Sequence, residues 1–185
     1  MSVHLGSVAP DFAQDSTQGT IRFHEWIAGK WVMFFSFPHD FTPVCTSELG
    51  VVARLGPEFA RRDCKVIAVS VDTVDLHRRW LINLKNTQHV DIQFPILSDR
   101  NLKVSGLYDL IHKEMNEEVT VRGLFVIDPK KRIRLSMYYP DTIGRNFREV
   151  LRAIDALQLI NSHSLLTTDR STGDENSSLP PQYTE

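Results

Sequence analysis

The stretch "KWVMFFSF" (Lys30–Phe37) constrains this chain more than any other, because Trp31–Phe35 is an unbroken apolar run extended past Ser36 by Phe37. A strand turns alternate side chains to opposite faces, so an apolar strand must be covered on both. The run is far too short to cross a bilayer, which needs roughly 20 residues. It therefore reads as a central strand with helices on either side, and the rest of the chain supplies them. "TPVCTSELGVVARLGPEFARR" switches to helical spacing, with Leu49, Val52, Leu55 and Phe59 at steps of three and four. "KVIAVSV" (Lys65–Val71) is a second buried strand, and Val74–Asn86 is a helix with Leu76, Trp80 and Leu84 four apart. Phe94–Asp99 predicts a short strand and turn, and Asn101–Ile111 a helix. Val119–Asp128 and Arg132–Tyr139 flank the turn Asp128-Pro129-Lys130-Lys131 as a hairpin. Phe147–Leu159 closes the domain as a helix, with Phe147, Val150, Leu151 and Ile154 on one face. This order predicts an α/β fold with a mixed central β-sheet flanked by helices. One domain is expected over residues 1–162, followed by a polar, disordered tail over 163–185 that is too poor in apolar residues to pack.

The formal net charge is −2 with both signs interspersed, which gives no electrostatic reason to expect nucleic acid or a membrane surface as partner. "MSVHLGSVAPDF" lacks the charged start and apolar stretch of a signal peptide, so a cytoplasmic location with reduced thiols is expected. Two cysteines cannot build a disulfide framework. Without Cys-x-x-Cys or a Cys/His cluster at ligand spacing, neither a structural metal site nor a thioredoxin-type dithiol is expected.

One cysteine sits in a telling place, within "PHDFTPVCTSELG" (Pro38–Gly50). Thr42 suits a helix N-cap and Pro43 the first helical position, where a missing N–H is no loss. Cys45 then falls at the third helical position, beside unpaired N–H groups and the positive end of the helix dipole, which favour a thiolate. The Thr42 hydroxyl can cap the helix or donate to a bound oxygen, and Pro43 can shield the sulfur. Such a thiolate is suited to attack a small electrophile. The alternative is a buried structural cysteine that packs as a small hydrophobe. Cys64, in "RRDCKVIAVS", opens a strand and reads as structural.

These residues carry a resemblance. "FTPVCTSELG" is similar to the peroxidatic motif of the peroxiredoxins, Pro-x-x-x-Thr/Ser-x-x-Cys, met here by Pro38, Thr42 and Cys45. "VTVRGLFVIDP" and "YYPDTIGRNFREVLRAIDALQL" resemble their 1-Cys (peroxiredoxin-6-like) branch. The resemblance runs from about Leu5 to Leu159 and ends before the branch's C-terminal arm. It departs at Phe37, where the branch usually has histidine. It implies a thioredoxin-like fold and a thiol peroxidase that reduces hydrogen peroxide and small organic hydroperoxides without metal or cofactor. Cys45 would be the peroxidatic cysteine, Thr42 would bind the peroxide, Pro43 would shield the pocket, and Arg122 would stabilise the thiolate and orient the peroxide. Glu48, three residues after Cys45, would anchor an arginine; otherwise it is a first-turn acid on a solvated face.

No cysteine follows Cys64, and Cys64 lies at the far end of the predicted helix, roughly 25 Å away at 1.5 Å per residue. A disulfide needs Cα atoms within about 7 Å. An external thiol, glutathione or a small redox protein, is therefore the expected reductant. The surfaces leave room for a homodimer through the sheet edge or helix faces. A peroxide sensor or holdase-like binding protein on the same fold is the competing expectation.

Overall fold

The computed structural model describes residues 3–115 and 118–168. In chain order the elements are β1 (Ala13–Ser16), β2 (Gly19–Arg22), α1 (Phe23–Ile27), β3 (Trp31–Ser36), α2 (Pro43–Arg54), α3 (Gly56–Arg61), β4 (Cys64–Ser70), α4 (Val74–Gln88), β5 (Ile96–Ser98), α5 (Lys103–Leu107), β6 (Arg122–Ile127), β7 (Ile133–Tyr139) and α6 (Phe147–Thr168). The strands form one sheet in the order β2-β1-β5-β4-β3-β6-β7. β3 pairs parallel with β4 and antiparallel with β6, so the sheet is mixed and β3 lies inside it.

Every residue of β3 is buried, as a strand covered on both faces must be. Its alternate residues feed two separate cores. Met33 and Phe35 join Cys45, Leu49, Val52, Trp80, Phe147 and Ile154 on the face covered by α2, α4 and α6. Val32 and Phe34 join Phe12, Phe23, Tyr108 and Phe125 on the other. On that second face Phe34 meets Tyr108 edge to face, with centroids 4.7 Å apart.

Four features differ from the sequence expectation. The N-terminal hairpin β1–β2 and the short α1 were not anticipated: strands of four residues, largely exposed, show no readable alternation. The long helix after Thr42 is broken into α2 and α3 at Leu55. Pro57 cannot donate to the carbonyl of Ala53, and its ring disfavours a continuous helix at Gly56. The helix expected over Asn101–Ile111 shrinks to α5, entered through Leu102 and left through Asp109, both in the left-handed region (φ 55° and 52°). α6 continues past Leu159 to Thr168. Of the expected tail, residues 169–185 lie outside the described residues. Among the described residues no helix is long and apolar enough to cross a membrane.

Candidate active site

The turn after β3 carries the chain to α2. Pro38 is buried at its start and Pro43 is exposed at the first position of the helix. Between them Phe41 adopts φ 59°. A left-handed conformation is rare for a bulky residue and costs of order 1–3 kcal/mol, so the surroundings must hold it. Thr42 is the N-cap by backbone conformation, and its carbonyl accepts the first helical bond from Thr46 N–H at 2.9 Å. Its hydroxyl does not cap the helix. It donates instead to the carbonyl of His39 at 3.2 Å, closing the turn on itself.

Cys45 is completely buried in the first turn of α2. Arg122, the first residue of β6, reaches its sulfur: Nη1 donates to Cys45 Sγ at 3.3 Å and to Glu48 Oε2 at 2.8 Å. Arg122 Nε donates to the Asp141 carbonyl at 2.8 Å, which fixes the plane of the guanidinium. Gly123 follows, and it is needed there: a Cβ would collide with Leu110 and press on Ser36 Oγ at 3.3 Å.

Glu48 is not on a solvated face. It is 4% exposed and lies between two buried arginines. The second is Arg145, from the loop before α6, which the sequence reading did not single out. Arg145 Nε and backbone N–H donate to Glu48 Oε1 at 3.0 and 2.6 Å, and Nη2 donates to Oε2 at 2.8 Å. Its Nη1 donates to the carbonyls of Ser36 and Gly123 at 2.8 and 2.7 Å, tying the loop to β3 and β6. Burial pulls the Arg145 guanidinium down from its usual range, and the Glu48 bonds oppose that pull.

Two guanidinium groups face one carboxylate here, leaving one positive charge in excess beside the sulfur. An anion held at that sulfur would neutralise it. This set can therefore hold an anionic nucleophile, and Arg122 can donate to an oxygen that becomes negative next to it. A cavity of about 480 Å³, lined by Pro43, Val44, Val51, Gly144 and Phe147 among others, opens on the neighbouring face of α2. Its lining does not include Cys45, so it flanks the sulfur rather than containing it.

Cys64 is elsewhere. It opens β4 opposite Trp31, whereas Ser36, bound by Arg145, ends β3. The intervening strand spans roughly 16 Å at about 3.3 Å per residue, so the break in the helix does not bring the two cysteines together. Both are free thiols. Burial, assisted by Asp63, pushes the Cys64 thiol up to about 12, from an ordinary 9.0. A raised folded value means that the folded chain holds this proton more tightly than the unfolded one. The contribution to stability is complete below about pH 9 and is lost as pH rises toward 12. Thermal melting followed from pH 8 to 11 is therefore expected to fall more steeply for the wild type than for Cys64→Ala, which has no thiol to titrate. Parallel curves would contradict it.

Comparison with known proteins gives one consistent answer. The AhpC/TSA family matches residues 5–136. A 1-Cys peroxiredoxin of Dictyostelium discoideum is 41% identical over 184 residues, covering 99% of this chain and 76% of the relative. Peroxiredoxin-6 of Homo sapiens is 43% identical over 185 residues, covering 95% of this chain and 83% of the relative. The crystal structure of a variant of peroxiredoxin 6 from Arenicola marina superposes with a TM-score of 0.81 at 40% identity, over 86% of this chain and 75% of that one. A yeast mitochondrial 1-Cys peroxiredoxin, described as resolving its thiol through glutathione/thioredoxin systems, gives a TM-score of 0.81 at 44% identity, over 86% and 78%.

Proposed function

Because this chain belongs to the peroxiredoxins, the AhpC/TSA family, with their thioredoxin-like fold, we propose that it is a 1-Cys thiol peroxidase whose reacting atom is Cys45 Sγ. The observation that carries the assignment of the nucleophile is the Arg122 donor 3.3 Å from a buried sulfur at a helix N-terminus.

The chemistry follows from that arrangement. The Cys45 thiolate attacks one oxygen of a hydroperoxide. An S–O bond forms, the O–O bond breaks, and the distal oxygen leaves as an alkoxide or hydroxide that takes up a proton as alcohol or water. Sulfur is oxidised to the sulfenic acid and the peroxide is reduced. Arg122 and the first-turn N–H groups stabilise the negative charge as it moves from sulfur to the leaving oxygen. Glu48 and Arg145 hold Arg122 in place. Pro38 and Pro43 set the turn that presents the sulfur. The Thr42 hydroxyl, which donates to the His39 carbonyl in this conformation, would exchange that acceptor for a peroxide oxygen. Substrates are hydrogen peroxide and small organic hydroperoxides.

Return to the thiol requires an external donor. Cys64 lies at the opposite end of the central strands from Ser36, and burial pushes its thiol up to about 12. One external thiol condenses with the sulfenic acid, releasing water, and a second frees Cys45 from the mixed disulfide. Glutathione or a small redox protein supplies them, in keeping with the yeast relative. The outer edge of β7 beyond Ile133, whose backbone is already paired with Gly6 and Ser7, is the surface through which a homodimer would form.

The direct test mixes reduced protein rapidly with hydrogen peroxide, traps sulfenic acid and locates it by mass spectrometry. Modification at Cys45 within milliseconds, with Cys64 untouched, is expected. Modification no faster than that of a free thiol would refute the proposal. Arg122→Lys is expected to lower kcat/KM by about 10²-fold. An ammonium group does not match the planar fork that serves the sulfur, Glu48 and the Asp141 carbonyl together.

A further inference from the structure

The turn before α2 is gripped from α4, at two points that bracket Cys45. His77 and Asp40 have completely buried side chains, and His77 Nδ1 lies 2.8 and 3.0 Å from the two oxygens of the Asp40 carboxylate. His77 Nε2 lies 3.2 Å from the Leu97 carbonyl oxygen, which can only accept, so Nε2 carries a hydrogen. The proton between Nδ1 and Asp40 is then shared by the pair. Asp40 is held a second time, its backbone N–H donating to Asp72 Oδ2 at 2.7 Å. One helical turn after His77, Trp80 Nε1 donates to Thr46 Oγ1 at 3.3 Å. Asp40 precedes the nucleophile and Thr46 follows it. Between them lies Phe41 in its left-handed conformation, its ring 6.2 Å from that of Trp80.

Among the described residues the donor to the sulfur is Arg122, and the peroxidase chemistry described above uses none of these groups. A buried, fully partnered Asp–His pair in a short turn nevertheless constrains that turn closely, and the residue it constrains is the unfavourable one. We propose that His77 and Asp40 are positioning residues for the peroxide reaction: the pair clamps the Phe41 turn against α4 and so keeps Cys45 against Arg122. This rests on Cys45 being the nucleophile. Loss of either partner lets Phe41 relax, the first turn of α2 shifts, and the 3.3 Å contact between Arg122 and the sulfur lengthens. Small misplacements of a reacting atom have large kinetic effects.

The test is the second-order rate of Cys45 oxidation by hydrogen peroxide, measured by stopped flow together with the melting temperature. His77→Gln and Asp40→Asn are each expected to slow oxidation about tenfold or more, and the double variant no more than the worse single one, because the two act as a unit. Phe41→Asn removes the bulky residue and accepts the left-handed conformation more readily. In that background the effect of His77→Gln should shrink to less than half its logarithm. The control is Asp99→Asn, whose carboxylate accepts from Ser105 and from the Val104 N–H on the other side of the sheet. It should lower the melting temperature and leave the rate within twofold. If His77→Gln and Asp40→Asn do not fold, Asp72→Asn loosens the same turn from its more accessible side and should slow oxidation several-fold. Rates within twofold of wild type in these variants, or a rate loss in Asp99→Asn matching theirs, would overturn the proposal. A wild-type protein that does not react at Cys45 would instead overturn the peroxidase reading.

Discussion

Cys45→Ser is expected to abolish peroxide turnover, a loss of about 10⁴-fold or more, while Cys64→Ser keeps most of the activity. The contrast follows from the surroundings of the two thiols. Cys45 has a guanidinium donor 3.3 Å from its sulfur and sits in the first turn of a helix. Among the described residues no guanidinium is bonded to Cys64, and burial pushes its thiol up to about 12 against the pull of a Met33 backbone bond and Arg62. A serine hydroxyl at position 45 fits the same space, but it stays protonated and is a poor nucleophile towards peroxide oxygen. Coupled assays with a thiol reductant, run on both variants at matched folded concentration, decide the matter. Equal losses in the two would refute a mechanism built on one cysteine.

The second large effect is on stability. Glu48→Ala is expected to cost about 3–5 kcal/mol, because it strands two guanidinium groups that are at most 2% exposed in their side chains. For a domain of this size that corresponds to a fall of roughly 6–20 °C in melting temperature. Peroxide oxidation should slow as well, since Arg122 loses the carboxylate that orients it. Glu48→Gln keeps the shape and one acceptor oxygen but not the charge, and is expected to recover part of the stability. Differential scanning calorimetry separates the cases. A Glu48→Ala protein melting within 2 °C of wild type would mean that water reaches the arginines.

The strand core was legible because β3, β4 and β6 carry their own apolar signal and each forms largely where its residues predict. The hairpin of β6 and β7 was legible from its Asp-Pro turn. What escaped was decided by tertiary contact. Pro57 ends α2 early although the apolar spacing continues through it. Thr42 has the right residue type for a cap, yet its hydroxyl finds the nearer carbonyl of His39. In the site, the turn and the place of Cys45 in the first turn of α2 were readable from local spacing, and Arg122 from the family motif. Arg145 was not, because no local pattern separates it from Arg148 and Arg152, which follow within two turns of α6 and lie exposed. It is buried because its partners come from α2, β3 and β6. His77 was hidden for the same reason: its helix reads as an ordinary amphipathic one, and its partner lies 37 residues earlier.

The wide spacing of the site along the chain also has a meaning during biosynthesis. Arg122 follows Cys45 by 77 residues, and Arg145 follows Glu48 by 97. At a translation rate of about 5–20 residues per second, Cys45 is added to the chain roughly 4–15 s before its arginine. The half-made chain thus carries Cys45 without its guanidinium donor, and the set is assembled only when the last third of the domain docks. A nascent chain stalled before β6 would hold that thiol without the donor it meets in the finished fold.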